Sequence, residues 1–322
     1  MKAVIVRELG PPEVLVADEA PEPVAATGEV VIDVELANVT FVETQVRAGR
    51  PPHPSMLPAL PAILGNGVGG TVASVGAGVD AGLVGRRVVT SLNGSGGYAQ
   101  RAVASAERLL AVPAGLAMRD AVALLADGRT ALSLVRQAEP RAGEVVLVEA
   151  AAGGVGTLLV QLARNAGARV VAAAGGERKL DVARGLGANV AVDYGAPEWP
   201  EHVRSAVGGV DVVFDGVGGP LGEAAFALLR PGGRFVPYGM ASGRFAAVDD
   251  EDAAARGVEV VGRGPMSREE LVALSRAALE EAAAGRLRPV VGQEFPLAEA
   301  AAAHAAIEAR ATIGKTLLVV RG

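Results

Sequence analysis

The sequence contains no cysteine, which excludes disulfides and thiolate-bound zinc. Histidine is nearly as scarce: His53, His202 and His304 lie far apart along 322 residues. A histidine-built metal site has little to draw on, no clustered acidic signature for magnesium is present, and no metal is expected. Aromatic residues make up 3% of the chain, leaving few platforms on which nucleic-acid bases could stack. The net charge of -6 lacks the clustered positive charge that a phosphate backbone requires, so no nucleic-acid partner is expected. No run reaches the roughly 18–20 apolar residues of a membrane span, and the opening "MKAVIVRELGPPEV" lacks the apolar core of a secretory signal. The expectation is a soluble cytoplasmic protein without a membrane partner. No G-x-S-x-G surrounds a serine, which disfavours a hydrolase built on a nucleophile elbow.

The chain is rich in small and apolar residues, at 50% hydrophobic with 43 glycines, enough for a large core and two domains. Up to about Ala121 it reads as strand-rich: "KAVIVRE", "VVIDVELANV", "GTVASVG" and "RRVVTSL" are short β-branched runs separated by Gly, Pro and Asn. "RPPHPSMLPALPAILG" is too dense in proline for regular structure. "DAVALLADGRTALSLVRQA" then has helical spacing with a Gly-Arg-Thr interruption. Beyond it strands and helices alternate, with "VVLVEA", "RVVAAA", "NVAVDY", "VDVVFDGVGG", "GRFVPYG" and "VEVVGRG" as strands. Alternation of this kind marks a parallel sheet covered on both faces. "SREELVALSRAALEEAAAGRL" is an amphipathic helix with Ser267 and Glu270 as a capping box. "LAEAAAAHAAIEAR" is another helix, and "KTLLVV" a last strand.

The stretch "VVLVEAAAGGVGTLLVQLARNAGARVVAAAGG" reads as strand, turn, helix (Gly156–Ala166), strand. Its turn, Ala150-x-x-Gly153-x-x-Gly156, has the small residues a dinucleotide site needs. They permit a sharp turn, close backbone approach to the pyrophosphate and close packing of helix on strand, and helix N–H groups then face the phosphate charge. Ala150 in the first glycine's place is tolerated only if that position needs no positive φ. An NAD site carries an acid at the end of the second strand, about 20 residues on. Here that end is Ala172–Gly176, followed by Glu177, Arg178 and Lys179. Small residues leave room for a 2′-phosphate, and a cation can pair with its charge of roughly -1.5 to -2. The cofactor expected is NADPH.

Asp215 either faces a cofactor crevice or caps the next helix; both readings fit its place at a strand end. Tyr238 and Gly239, with Ser242 and Gly243, end the following strand, where ligands of open α/β sheets lie. Thr130 reads as a hydroxyl bonded to its own helix, His53 as an exposed loop residue and His304 as packing or surface. Glu43 and Asp127 read as members of a solvated face, and Tyr98 as packing in a turn.

Taken together, these segments resemble the medium-chain dehydrogenase/reductase superfamily, and within it the zinc-free quinone oxidoreductase group, over nearly the full length. "VTFVETQVRAG" is similar to its N-x-x-D-x-x-x-R-x-G segment, with Thr40 for Asn and Glu43 for Asp. "GNGVGGTVASVGAGV" is similar to its glycine-rich segment, with Gly67 where glutamate is common. "AAAGGVG", "LGAxxxxxY", "DxVGG" and "IGKTLLVV" match further on. The resemblance implies an α/β protein: a GroES-like β-rich catalytic domain at 1–122, a Rossmann doubly wound parallel-sheet cofactor domain at 123–264, and a completing catalytic segment at 265–322, with the active site in the cleft. It implies a cofactor site of Ala152, Gly153, Gly154, Val155 and Gly156 at the pyrophosphate, and Gly175, Gly176, Lys179 and Tyr194 at the 2′-phosphate. Thr130, Val217, Tyr238, Gly239 and Lys315 complete it, with Thr130 near the nicotinamide. Thr40 and Thr130 are the candidate catalytic hydroxyls, and a homodimer is implied. The expected reaction is hydride transfer from NADPH to a small-molecule quinone, the alternatives being an enone or enoyl-thioester acceptor and an NADPH-binding protein without turnover.

Overall fold

The computed structural model describes residues 1–262, 264 and 266–321. The chain forms two compact units, Met1–Gly128 with Ser275–Gly322, and Arg129–Leu274. Unit 1 contains β1 (Lys2–Val6), β2 (Val16–Glu19), β3 (Glu29–Val39), α1 (Phe41–Arg47), β4 (Ala62–Ile63), β5 (Gly67–Val75), β6 (Arg87–Ser91), β7 (Arg101–Ser105) and β8 (Leu110–Ala111). Helix α2 (Met118–Ala138) runs on from it into unit 2. There β9 (Val145–Glu149), α3 (Gly154–Asn165), β10 (Arg169–Ala174), α4 (Glu177–Gly185), β11 (Val190–Asp193), α5 (Trp199–Val207), β12 (Val210–Asp215), α6 (Gly219–Phe226), β13 (Leu229–Pro237), α7 (Asp250–Ala255) and β14 (Glu259–Val260) follow. The chain returns to unit 1 through α8 (Arg268–Ala283), β15 (Val291–Pro296), α9 (Ala300–Glu308) and β16 (Lys315–Val319).

In unit 2 the strands lie in the order β11-β10-β9-β12-β13-β14, every pair parallel. The order reverses direction at β9 and β12, where a doubly wound sheet opens a crevice at its carboxyl edge. Both faces are covered, so β9 is buried at all five positions and β10 at all but Arg169. That burial is why these strands read as continuous apolar runs rather than as alternation. The helix expected from Gly156 begins two residues earlier, at Gly154. "VEVVGRG" forms β14 at Glu259–Val260 and extends past the described residues at Arg263.

Unit 1 is built around the long β3, which pairs antiparallel with β5, β7 and β16. The last strand therefore completes a sheet begun by the first hundred residues, with Thr316 opposite Val39. β15 pairs with β16; its glycine and charged residues hide it from periodicity. The Gly-Arg-Thr interruption is not a break: α2 is continuous through Gly128. A Cβ at Gly128 would stand 2.7 Å from that of Ala278 on α8, so the glycine there serves helix packing. The expected capping box of α8 forms, with Ser267 N–H donating to Glu270 at 2.6 Å and Glu270 N–H to the Ser267 hydroxyl at 3.1 Å. Among the described residues no helix is long and apolar enough to cross a membrane.

A buried charge fastens the C-terminal segment to the N-terminal one. Arg47, 1% exposed at the end of α1, pairs with Glu308 at the end of α9 and donates to the Gly10 carbonyl at 2.9 Å. Removing one partner of such a pair leaves the other charge buried and uncompensated. Glu308→Ala should therefore lower stability by about 2–3 kcal/mol, below the usual range because Glu308 is partly exposed. Urea denaturation of the two proteins measures it, and an unchanged midpoint would contradict this account of the closure.

Candidate active site

At the carboxyl edge of the six-stranded sheet, the chain leaves β9 through Ala150, whose φ is 47°. The condition for an alanine at this position is not met: a residue with a Cβ adopts the left-handed conformation that glycine takes readily. The kink turns the Ala150 carbonyl toward the start of α3, where it accepts the Gly153 N–H at 2.8 Å. The same carbonyl leaves no room at Gly156, where a Cβ would lie 2.2 Å from it. Gly153 is the N-cap of α3 and has no side chain to cap with. The N–H groups of Gly154, Val155 and Gly156 stand in the first turn, where the helix offers them no carbonyl. Together with the helix dipole they make a seat for an anion. Ala152 beneath the turn packs with Ala174 and Leu180.

Two neighbouring strand ends extend the site. β10 and β11 are paired up to Ala174 and Asp193, which brings Gly175, Gly176, Lys179 and Tyr194 together. The Tyr194 ring lies against Gly175, 3.5 Å from where a Cβ would be. On the other side, β12 ends at Asp215. Its Oδ1 accepts the N–H groups of Val217 at 2.9 Å and Gly218 at 2.7 Å. Asp215 does not cap α6, whose N-cap is Gly218 without a side-chain bond; its fully buried carboxylate shapes the turn that leads into the helix. The Asp215 carbonyl accepts the Tyr238 N–H at 2.8 Å. The Tyr238 hydroxyl packs over Gly216, where a Cβ would be 2.5 Å away. Val217, Tyr238 and Gly239 are thus held as one group at this edge. Thr130 lies half-buried within α2.

In unit 1, Thr40 begins α1 as its N-cap. Its hydroxyl accepts the Glu43 N–H at 3.3 Å and donates to Glu43 Oε2 at 3.1 Å, while its own N–H donates to that oxygen at 2.6 Å. Glu43 is therefore no solvated residue. It is 6% exposed, and burial raises its carboxyl against the lowering effect of the Thr40 and Asn66 N–H groups and of Lys315. Asp127 is likewise buried, with Lys315 Nζ at 3.0 Å from Oδ1. Register places Lys315, one residue before Thr316, beside Thr40. The Tyr98 hydroxyl, fully buried, lies 3.3 Å from Glu43 Oε2 and 3.0 Å from His304 Nε2. A neutral imidazole protonated on Nε2 satisfies both contacts, donating to the phenol oxygen, which donates on to Glu43. Burial, reinforced by the charge of Arg47, pulls His304 down to about 3, and burial beside Glu43 pushes Tyr98 well above its ordinary value. The sequence reads Tyr98 as packing in a turn and His304 as packing or surface; the hydrogen bond between them joins residues 206 positions apart. Among the described residues no group of three or more His, Asp or Glu could hold a metal ion.

Comparison with known proteins places both units. Residues 26–114 match the family described as alcohol dehydrogenase GroES-like domain, and residues 154–280 the one described as zinc-binding dehydrogenase. A 2-haloacrylate reductase from a Burkholderia species is 34% identical, the match covering 98% of each chain. Quinone oxidoreductase from Mus musculus is 33% identical over 99% of this chain and 98% of that one. The crystal structure of Escherichia coli quinone oxidoreductase complexed with NADPH superposes with a TM-score of 0.90 at 30% identity, covering 99% of this chain and 100% of that one.

The left-handed Ala150 yields a signed expectation. That conformation costs a residue with a Cβ about 1–2 kcal/mol, whereas glycine costs about 0.4–1 kcal/mol through the unfolded chain. Ala150→Gly should therefore raise stability by about 0.5–1 kcal/mol, an unusual sign for a glycine substitution. Denaturant midpoints measure it, and a less stable variant would show that the turn is relaxed as it stands.

Proposed function

Because the chain belongs to the quinone oxidoreductase group of the medium-chain dehydrogenase/reductase superfamily, we propose that it transfers hydride from NADPH to a quinone without a metal. One observation carries the reading: the turn from Ala150 to Gly156 presents an uncapped helix start beside a second strand end that carries no acid. The residues fit the cofactor. The first-turn N–H groups of Gly154, Val155 and Gly156, with Ala152 and Gly153, would hold the pyrophosphate. Gly175 and Gly176 leave room for the 2′-phosphate, with the Lys179 charge and the Tyr194 ring beside it. Val217, Tyr238, Gly239 and Thr130 would bound the nicotinamide end.

When bound, NADPH supplies the hydride from C4 of its nicotinamide. The chain's own residues hold the reactants in register and keep water out. The hydroxyl of Thr40 already serves Glu43, and that of Tyr98 is buried in the same network. Lys315, with its ammonium on Asp127, acts as a fixed charge beside Glu43. An acceptor that needs no acid from the protein suits this arrangement, and a reduced quinone takes its proton from water. The 2-haloacrylate reductase relative favours a second reading, hydride addition to an activated carbon–carbon double bond. There charge develops on a carbonyl oxygen, and Thr130 or a backbone N–H would be its donor. The implied homodimer belongs to the same proposal.

NADPH oxidation with a panel of quinones and of 2-haloacrylates and enones tests it. Quinone turnover is expected; turnover of the double-bond substrates alone favours the second reading, and cofactor binding without turnover overturns both. Lys179→Ala should weaken NADPH binding by about tenfold, roughly 1.4 kcal/mol, and spare NADH. Equal weakening of both cofactors would remove Lys179 from the 2′-phosphate.

A further inference from the structure

Beneath the proposed cofactor edge lie two carboxyl groups that no step above uses. Glu149 is the last residue of β9 and Asp215 the last of β12, and both are fully buried. The strands are adjacent and parallel, with Phe214 beside Val148, so the next pair in register is Asp215 beside Glu149 on one face of the sheet. Asp215 Oδ1 takes two backbone N–H groups. Asp215 Oδ2 and both oxygens of Glu149 have no donor among the described residues. Around them the fold is tight: a Cβ at Gly222 on α6 would lie 2.4 Å from Oδ2, and β10 places Ala173 beside Glu149. Two ionised carboxylates here would leave three buried acceptors unmet and two like charges side by side, which a protein interior does not tolerate.

We propose that Glu149 and Asp215 share one proton, carried on Glu149 and donated to Asp215 Oδ2, and that this pair is a positioning device locking the strand ends under the cofactor. The proton sits on Glu149 because Asp215 is held as the acceptor by the two N–H groups of its own turn, whereas Glu149 has none. Burial first, and then Asp215, pushes the Glu149 carboxyl well above the usual carboxylate range. Among the described residues Asp215 is the one ionisable group that acts on it. The pair joins three segments: Glu149 precedes the left-handed Ala150, the Asp215 carboxylate holds Val217 and Gly218, and the Asp215 carbonyl holds Tyr238 and Gly239. Its effect on NADPH rests on the proposed function; the shared proton does not.

Infrared spectroscopy of the wild-type protein at neutral pH should show the carbonyl band of an un-ionised, buried carboxylic acid, lost in Glu149→Gln. Absence of the band in the wild type overturns the proposal, whether or not any variant folds. The amide of Glu149→Gln keeps a donor for Asp215 but has no proton to lose. A group whose carboxyl is raised in the folded state gives stability that is full below the ordinary glutamate value and is lost as pH rises toward the raised one. The melting temperature of Glu149→Gln relative to wild type should therefore climb as pH rises from 5 to 9; a constant difference contradicts the shared proton. Glu149→Ala should bind NADPH about tenfold more weakly while Glu149→Gln stays within about threefold of wild type. Equal loss in both denies the positioning role. A wild-type protein that shows the band and binds no NADPH would overturn the cofactor reading and leave the proton pair standing.

Discussion

The approach of α3 to the end of β9 constrains everything around it. With the Ala150 carbonyl pressed against Gly156, the helix can start where it does only if residue 156 has no side chain and residue 150 takes a left-handed turn. That geometry aims the first N–H groups of α3 out of the sheet edge, unpaired by the helix itself. Neighbouring strands then end at the same level: β10 in small residues with Lys179 and Tyr194 nearby, β12 at Asp215, and β13 before Tyr238. A parallel sheet whose order reverses between β9 and β12 leaves its crevice at this edge. The anion seat is thus a consequence of helix packing, and the chemistry proposed for the chain follows from where that packing puts bare N–H groups.

Unit 1 is organised differently, by polar groups that meet inside it. Thr40, Glu43, Tyr98 and His304 form one hydrogen-bonded chain, and Lys315 with Asp127 forms a buried ion pair beside it. Such networks specify one arrangement because each member left unmet is costly in a low dielectric. They also hold hydroxyl protons that an active site could otherwise offer, and the acceptor proposed for this chain is for that reason one that needs no protein acid. The C-terminal residues Glu308, His304 and Lys315 each find their partner in the N-terminal part, so unit 1 depends on both ends of the chain.

The parallel strands were legible because burial on both faces writes them as unbroken apolar runs, and the glycine turn because its spacing sits between such runs. The Ser267–Glu270 capping box was legible because it is local. Long-range contacts were not. Asp127 reads as solvated until Lys315, 188 positions away, supplies its partner, and His304 reads as packing or surface until Tyr98, 206 positions away, reaches its ring. Gly128 reads as an interruption because its reason, Ala278, belongs to another helix. Glu149 was hidden inside a strand pattern, and its only signal was a charged residue in a run where every neighbour is apolar.

A crystal structure of the protein grown with NADPH tests the central claim most directly. The account predicts pyrophosphate density within hydrogen-bonding distance of the N–H groups of Gly154, Val155 and Gly156, and a 2′-phosphate beside Lys179 and Tyr194. Cofactor density at another edge of the sheet, or none at saturating NADPH, would contradict it.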